Sequence, residues 1–192
     1  MKNLDQLAVY CGSAPGAQPV FPDCARATAK AMVEHGVDLV YGGGRLGLMG
    51  LIADSVLEMG GFVYGVIPQA LVDIEVAHPS VTELHVVETM HERKAKMTEL
   101  ADAFLALPGG IGTLDEFFDA WSWNALGYHK KPFCLLNVGG YWDGLIDFMD
   151  HATTGGFISP QRRRQLLVAA TPEEALQLLD EAVTAATQGM VW

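Results

Sequence analysis

Apolar positions fall along this chain in two rhythms. Short, nearly continuous apolar runs occur at LAVYC (7–11), VDLVY (37–41), FVYGVI (62–67), ELHVV (83–87), AFLAL (103–107) and FCLLN (133–137). A strand with one wet face alternates apolar and polar residues, so continuous runs of this length predict strands covered on both faces. Amphipathic stretches between them predict helices over about 22–35, 47–59, 89–101, 113–126 and 141–153, with two more over 160–168 and 172–187. Thr171-Pro172-Glu173-Glu174 has the form of a helix start, with Thr as cap, Pro first and acids in the first turn. The alternation predicts a three-layer α/β fold: a parallel sheet of about six or seven strands with helices on both faces. The 192 residues suit a single domain, 1–192, with no internal repeat, biased tract or linker. The final QGMVW (188–192) is expected to fray or to dock on a partner subunit.

Composition narrows the partners. Half the residues are hydrophobic, and 23 acids against 12 Lys and Arg give a net charge of -11. Nucleic-acid binding needs a basic face, and the one basic run, QRRRQ at 161–165, reads as a solvated helix face. No run approaches the ~20 apolar residues of a membrane span, and the start, MKNLDQLAVYCG, carries Asp5 where a signal peptide would be apolar. Cys11, Cys24 and Cys134 show neither CxxC nor zinc spacing, which suits a reducing cytoplasm; Cys11 and Cys134 sit in apolar runs as packing residues. The histidines at 35, 78, 85, 91, 129 and 151 form no metal pattern, and no metal is expected.

Three glycine-bearing turns follow predicted strands: CGSAPG after the first, YGGGRLGLMG after the second and PGGIGTLDE after the fifth. Ligands of open parallel sheets bind beyond the carboxyl ends of the strands. Glycine allows backbone N–H groups to approach a ligand, and a following helix adds its positive end, so such turns favour phosphate. Gly42-x-Gly44-x-x-Gly47 matches GxGxxG, but it follows the second strand, and VIPQALVD supplies no acid where a dinucleotide site needs one. Asp73 is too far past its strand for that role, and no GxxxxGK[ST] occurs, so dehydrogenase and P-loop chemistry are disfavoured. Thr113-x-x-Glu116 admits two readings: a capping box, or a carboxylate facing the sugar of a ligand whose phosphate occupies the glycine amides.

In TMHERKAKMTELADA, Met90, Arg93, Met97 and Leu100 share one helix face whose other members are apolar. Arg93 therefore lies on a buried stripe, where a guanidinium needs an anion: phosphate, or a carboxylate such as Glu116. Glu92 and Lys96 are expected to form a solvated pair, and Lys94 lies next to Arg93. Ser13 can donate to phosphate or cap a turn, and Phe117, Phe118, Trp121 and Trp123 read as core or helix–helix contacts.

Together, YGGGRLGLMG, MHERKAKM, PGGIGTLDE and LGYHKKPFCLLNVGGYWDGLIDF resemble the LOG family, the cytokinin riboside 5'-monophosphate phosphoribohydrolases once labelled "possible lysine decarboxylase". The resemblance runs from about Leu7 to Ile158. It implies a Rossmann-like homodimer that hydrolyses the N-glycosidic bond of a nucleoside 5'-monophosphate such as AMP to free base and ribose 5-phosphate, with no cofactor. The catalytic pair maps onto Arg93 and Glu116, with Arg93 holding phosphate or orienting Glu116 and lowering its pKa. The substrate site maps onto the Pro108–Thr113 loop, with Gly109, Gly110, Gly112 and Thr113, and onto Ser13, Gly42, Gly43, Gly44, Met90 and Lys94 nearby. Asn124 stands where the family pattern has Gln, a departure bearing on the base pocket. Nothing in the sequence marks a pyridoxal-binding lysine, so decarboxylation is disfavoured. The alternative is a non-catalytic nucleotide or molybdenum-cofactor carrier on the same fold.

Overall fold

The computed structural model describes residues 3–74 and 76–188. Seven strands form one sheet: β1 (Gln6–Tyr10), β2 (Asp38–Tyr41), β3 (Val63–Pro68), β4 (Glu83–Val87), β5 (Ala103–Ala106), β6 (Phe133–Leu136) and β7 (Leu166–Ala169). Their order is β4-β3-β2-β1-β5-β6-β7, with every pairing parallel. The helices are α1 (Val20–Glu34), α2 (Gly47–Glu58), α3 (Gln69–Val72), α4 (Met90–Leu100), α5 (Ile111–Ala125), α6 (Asp143–Thr154), α7 (Pro160–Gln165) and α8 (Pro172–Thr187), with a 3-10 turn at Val138–Gly140 before α6. The sheet grows outward in one direction from β1 through β4; α4 then returns the chain to the centre, and β5 starts the other half. That reversal between β1 and β5 is where an open α/β sheet leaves a crevice.

Period-two alternation of side chains sorts the sheet's apolar residues into two cores. Leu7, Val9, Leu39, Leu105, Cys134 and Leu136 pack with α1, α2 and α8 on one face. Ala8, Tyr10, Val40, Phe104, Ala106, Phe133 and Leu135 pack with α4, α5 and α6 on the other. Both faces are dry, which is why these strands read as unbroken apolar runs. Cys11, Cys24 and Cys134 are all free and buried. Among the described residues no helix is long and apolar enough to cross a membrane.

Several sequence expectations are corrected. The helix expected over 160–168 ends at Gln165, and Leu166–Ala169 is instead β7, pairing Leu167 with Cys134 on the sheet edge. No glycine or proline separates the two elements, so the sequence pattern runs through the boundary. The one-turn α3, Gln69–Val72, takes up residues to which the apolar pattern assigns no element. Glu92 does not pair with Lys96: its Oε2 accepts the Glu88 N–H at 2.9 Å while Thr89 Oγ1 accepts the Glu92 N–H at 3.1 Å, and Lys96 pairs with Glu99 at 3.0 Å. Capping uses the acid at the helix start, where the dipole rewards it. The start of α8 is as expected, with Thr171 accepting from Glu174 N–H at 3.3 Å. Of QGMVW, residues 189–192 lie outside the described residues.

The first two turns interlock. Gly47 has φ of 60°, and a Cβ there would sit 2.2 Å from the Ser13 carbonyl carbon and 2.4 Å from Ala14 N. Leu48 N–H donates to Gly12 O at 2.9 Å across the same contact. Gly47→Ala should therefore cost at least about 2 kcal/mol, from the positive φ and the backbone clash together. A denaturant titration giving a midpoint equal to wild type would contradict this packing.

Candidate active site

A cleft of about 350 Å³ opens at the carboxyl ends of β1, β2 and β5, at the reversal of strand order. Backbone and small residues form one side of it: Ser13, Gly42, Gly44, Gly110, Gly112 and Thr113. Leu46, Met49, Ile67, Leu71 and Val76 supply an apolar wall adjoining it. That wall is held by the irregular segment between α3 and β4, where Arg45 N–H donates to Val76 O at 2.9 Å and His78 N–H to Gly43 O at 2.8 Å. His78 is itself buried and meets Asp54 through Nε2 at 3.0 Å, tying this segment to α2.

The glycines of the fifth-strand turn are bare for two different reasons. A Cβ on Gly109 would come within 2.0 Å of Thr113 Oγ1 and 2.9 Å of Gly12 N, so packing excludes a side chain there. Gly110 and Gly112 have nothing within 4 Å of such a Cβ, and neither has a positive φ. The fold does not need glycine at these two positions, and their bareness leaves the first turn of α5 open to the cleft. The N–H groups at that turn lack intrahelical partners and lie at the positive helix end, which suits phosphate.

Arg93 and Glu116 converge below this turn. Arg93 projects from the first turn of α4 and is 7% exposed; Glu116 projects from the second turn of α5 and is 8% exposed. Arg93 Nη1 lies 2.8 Å from Glu116 Oε1. The rest of the fork is held by backbone carbonyls: Nε donates to Val66 O at 3.1 Å and Nη2 to Gly42 O at 3.4 Å. Gly42 must be glycine for this, because a Cβ would fall 1.7 Å from Arg93 Nη2. Burial pushes the Glu116 carboxyl above its ordinary range, and Arg93 pulls it back only in part. The expected lowering by Arg93 is thus outweighed by desolvation, since the pair sits almost wholly out of water.

The capping-box reading of Thr113-x-x-Glu116 is not realised. The helix starts at Ile111 with Gly110 as its cap, two residues earlier than predicted, so Thr113 is already helical and buried and Glu116 turns to Arg93. Of the other predicted site residues, Ser13, Gly44, Gly110, Gly112 and Thr113 line the cleft. Four do not. Gly43 packs its backbone against β3, 2.9 Å from Ile67 Cβ to a built Cβ. Gly109 is enclosed by Thr113 and the first turn. Met90 is 44% exposed and touches the pair only through Sδ, 4.0 Å from Arg93 Nη1. Lys94 turns away to Asp115 at 2.7 Å and Asp119 at 2.6 Å. Burial lowers the Lys94 pKa, but those two carboxylates more than offset this and keep the amine protonated, unlike a Schiff-base lysine. Asn124 is buried in the last turn of α5, where it accepts from Arg162 at 3.4 Å and lies outside the cleft. Gly42, also expected in the site, lines the cleft and lies against Arg93. Sequence reasoning missed the apolar wall; the signal is the apolar run continuing past Ile67 into Ala70, Leu71 and Val72, to which the pattern assigns no element. Among the described residues no group of three His, Cys, Asp or Glu could hold a metal ion.

Fold and cleft define a doubly wound α/β protein with a phosphate-suited glycine turn and a buried carboxylate–guanidinium pair at its switch point. The family profile described as "Possible lysine decarboxylase" matches residues 49–179. The chain is 47% identical over 187 residues to the cytokinin riboside 5'-monophosphate phosphoribohydrolase LOG of Oryza sativa subsp. japonica, covering 97% of this chain and 77% of that one. It is 46% identical over 171 residues to the cytokinin riboside 5'-monophosphate phosphoribohydrolase of Rhodococcoides fascians, covering 88% and 86%. It therefore belongs to the LOG family. A structural-genomics X-ray structure matches at 27% identity with a TM-score of 0.70, over 93% of this chain and 99% of the other. The molybdenum cofactor binding protein of Rippkaea orientalis matches at 20% identity with a TM-score of 0.70, over 94% and 98%, a likeness of fold alone.

Gly112 offers a test of the cleft. Replacing it by Ala relieves a helical glycine and should stabilise the fold by up to about 1 kcal/mol. The same methyl enters the open space over the α5 amides, so affinity for a phosphate-bearing ligand should fall. Thermal unfolding and calorimetric titration of Gly112→Ala read the two effects; tighter binding by the variant would contradict the assignment.

Proposed function

We propose that this protein hydrolyses the N-glycosidic bond of nucleoside 5'-monophosphates, AMP and cytokinin riboside monophosphates among them, to free base and ribose 5-phosphate. The observation that carries the reading is the 2.8 Å Arg93–Glu116 pair set beside open, bare amides at the start of α5. The relatives at 46–47% identity bear the name of that activity. The molybdenum-cofactor carriers match at 20–21% identity, as folds only.

In this reading the α5 amides and Ser13 hold the 5'-phosphate, which turns remote binding into orientation of the sugar. The base lies against Leu46, Met49, Ile67, Leu71 and Val76. As the bond between C1' and the base nitrogen breaks, its electrons leave with the base, which takes up a proton from solvent, and positive charge develops on the ribose ring. Glu116 stabilises that charge and takes a proton from the water that attacks C1'; a carboxylate raised above its usual range is a better acceptor for this step. Arg93 acts as the positioning group: its fork is spent on Val66 O, Gly42 O and Glu116, so it orients the acid and does not hold phosphate. We also propose a homodimer in the cytoplasm. Phe118, Trp121 and Ala125 of α5 line a groove with Met149, Ile158 and Phe157, the last 91% exposed, and these offer an apolar face for a second copy.

Glu116→Ala should still bind AMP but release adenine at least about 10²-fold more slowly, measured by chromatography. Adenine release near the wild-type rate would remove Glu116 from the reaction. The acid limb of kcat/KM should lie above the ordinary carboxylate range. As pH falls through the raised pKa, Glu116 gains a proton and loses both its charge and its capacity to accept one. A pH–rate profile with its acid limb at or below the range of an exposed glutamate would contradict the burial argument.

A further inference from the structure

We propose that Tyr141 is a positioning residue that fixes the peptide between Gly109 and Gly110 in the orientation that presents the Gly110 N–H to the substrate phosphate. The inference rests on the phosphate-anchoring reading above and assigns a role to NVGGYWDG, a segment that the reaction leaves unexplained. Tyr141 Oη donates to Gly109 O at 2.6 Å, reaching a residue 32 positions back in the chain.

The chain goes to some length to place this hydroxyl. Gly139 and Gly140 have φ of 60° and 71°, left-handed positions that L side chains rarely adopt. Asn137 Oδ1 accepts the Trp142 N–H at 2.7 Å, and Asn137 Nδ2 donates to Asp143 Oδ1 at 2.7 Å, which fixes the turn from β6 into α6. The Tyr141 ring stands edge-on to Phe21 at 5.4 Å and to Trp142 at 4.7 Å. Yet the residue remains 41% exposed, so packing alone does not account for it.

In a trans peptide the carbonyl and the next N–H point in opposite directions. Holding Gly109 O from outside the cleft therefore sets the direction of Gly110 N–H on the cleft side, where Gly110 faces open space. The preceding peptide is fixed in the same manner, because Pro108 O accepts the Gly12 N–H at 3.1 Å. Contact with Thr113 fixes where Gly109 sits, but not the plane of its carbonyl. A Gly–Gly peptide rotates readily without such an anchor.

Tyr141→Phe keeps both ring contacts and removes only the hydroxyl. The expected result is a rise in KM for AMP of about tenfold, with kcat little changed, as for one lost hydrogen bond to the anchoring loop. Ribose 5-phosphate, titrated by calorimetry, should lose affinity in parallel, while adenine should bind the variant as it binds wild type. Unchanged ribose 5-phosphate affinity would overturn the proposal, and so would an equal loss for adenine, which marks a general loosening of the cleft. The titration needs no turnover. Failure of the wild type to release adenine from AMP thus counts against the proposed reaction, and the Tyr141 result is read separately.

Discussion

A full positive charge and a full negative charge meet in a nearly dry place, and much of the architecture around the cleft serves that meeting. Removing both ions from water is expensive, and removing only one partner of such a pair typically costs about 3–5 kcal/mol. The cost is met by geometry. Arg93 comes from α4, the helix that carries the chain back across the sheet, and Glu116 from α5, the first helix of the second half. The carbonyls of Gly42 and Val66, at the ends of β2 and β3, complete the guanidinium's partners. One ion pair therefore joins segments from both sides of the strand-order reversal, and the absence of a side chain at Gly42 is the condition for it.

Around that pair the glycines divide into those that permit the fold and those that permit a ligand. Gly42, Gly47 and Gly109 lack side chains because Arg93, the Ser13 backbone and Thr113 occupy the space. Gly110 and Gly112 border emptiness. Motif matching cannot distinguish the two groups, since all five are simply glycine; the difference lies in which atoms have already claimed the volume. The apolar wall from Leu46 to Val76 completes a cleft lined by both bare backbone and apolar side chains.

Much of this is written in the sequence where a pattern has one physical meaning. Six strands stand out because a sheet covered on both faces needs unbroken apolar runs, and Arg93 stands out because it shares a helix face with apolar Met90, Met97 and Leu100, of which Met97 is fully buried and Met90 exposed. The reading fails where two elements share a pattern or where a side chain chooses among partners. β7 follows α7 without a breaker, so helix and strand merge in the sequence. Thr113 and Glu116 have capping-box spacing, yet the glycine before Ile111 starts the helix earlier. Lys94 adjoins Arg93 in sequence but points about a quarter-turn away, toward Asp115 and Asp119. Gly42 and Gly43 are indistinguishable until the approach of Arg93 selects one of them.

In the proposed reading the anion seat is built from neutral amides, with the Arg93 guanidinium already engaged by Glu116, in a chain of net charge -11. A phosphomonoester approaching this molecule therefore meets a repulsive far field before it reaches the helix end that welcomes it. Dissolved electrolyte shortens that field to about 8–10 Å while leaving contacts inside the cleft almost untouched. Capture here should quicken as ionic strength rises, the reverse of the behaviour of enzymes that recruit phosphates with a basic surface.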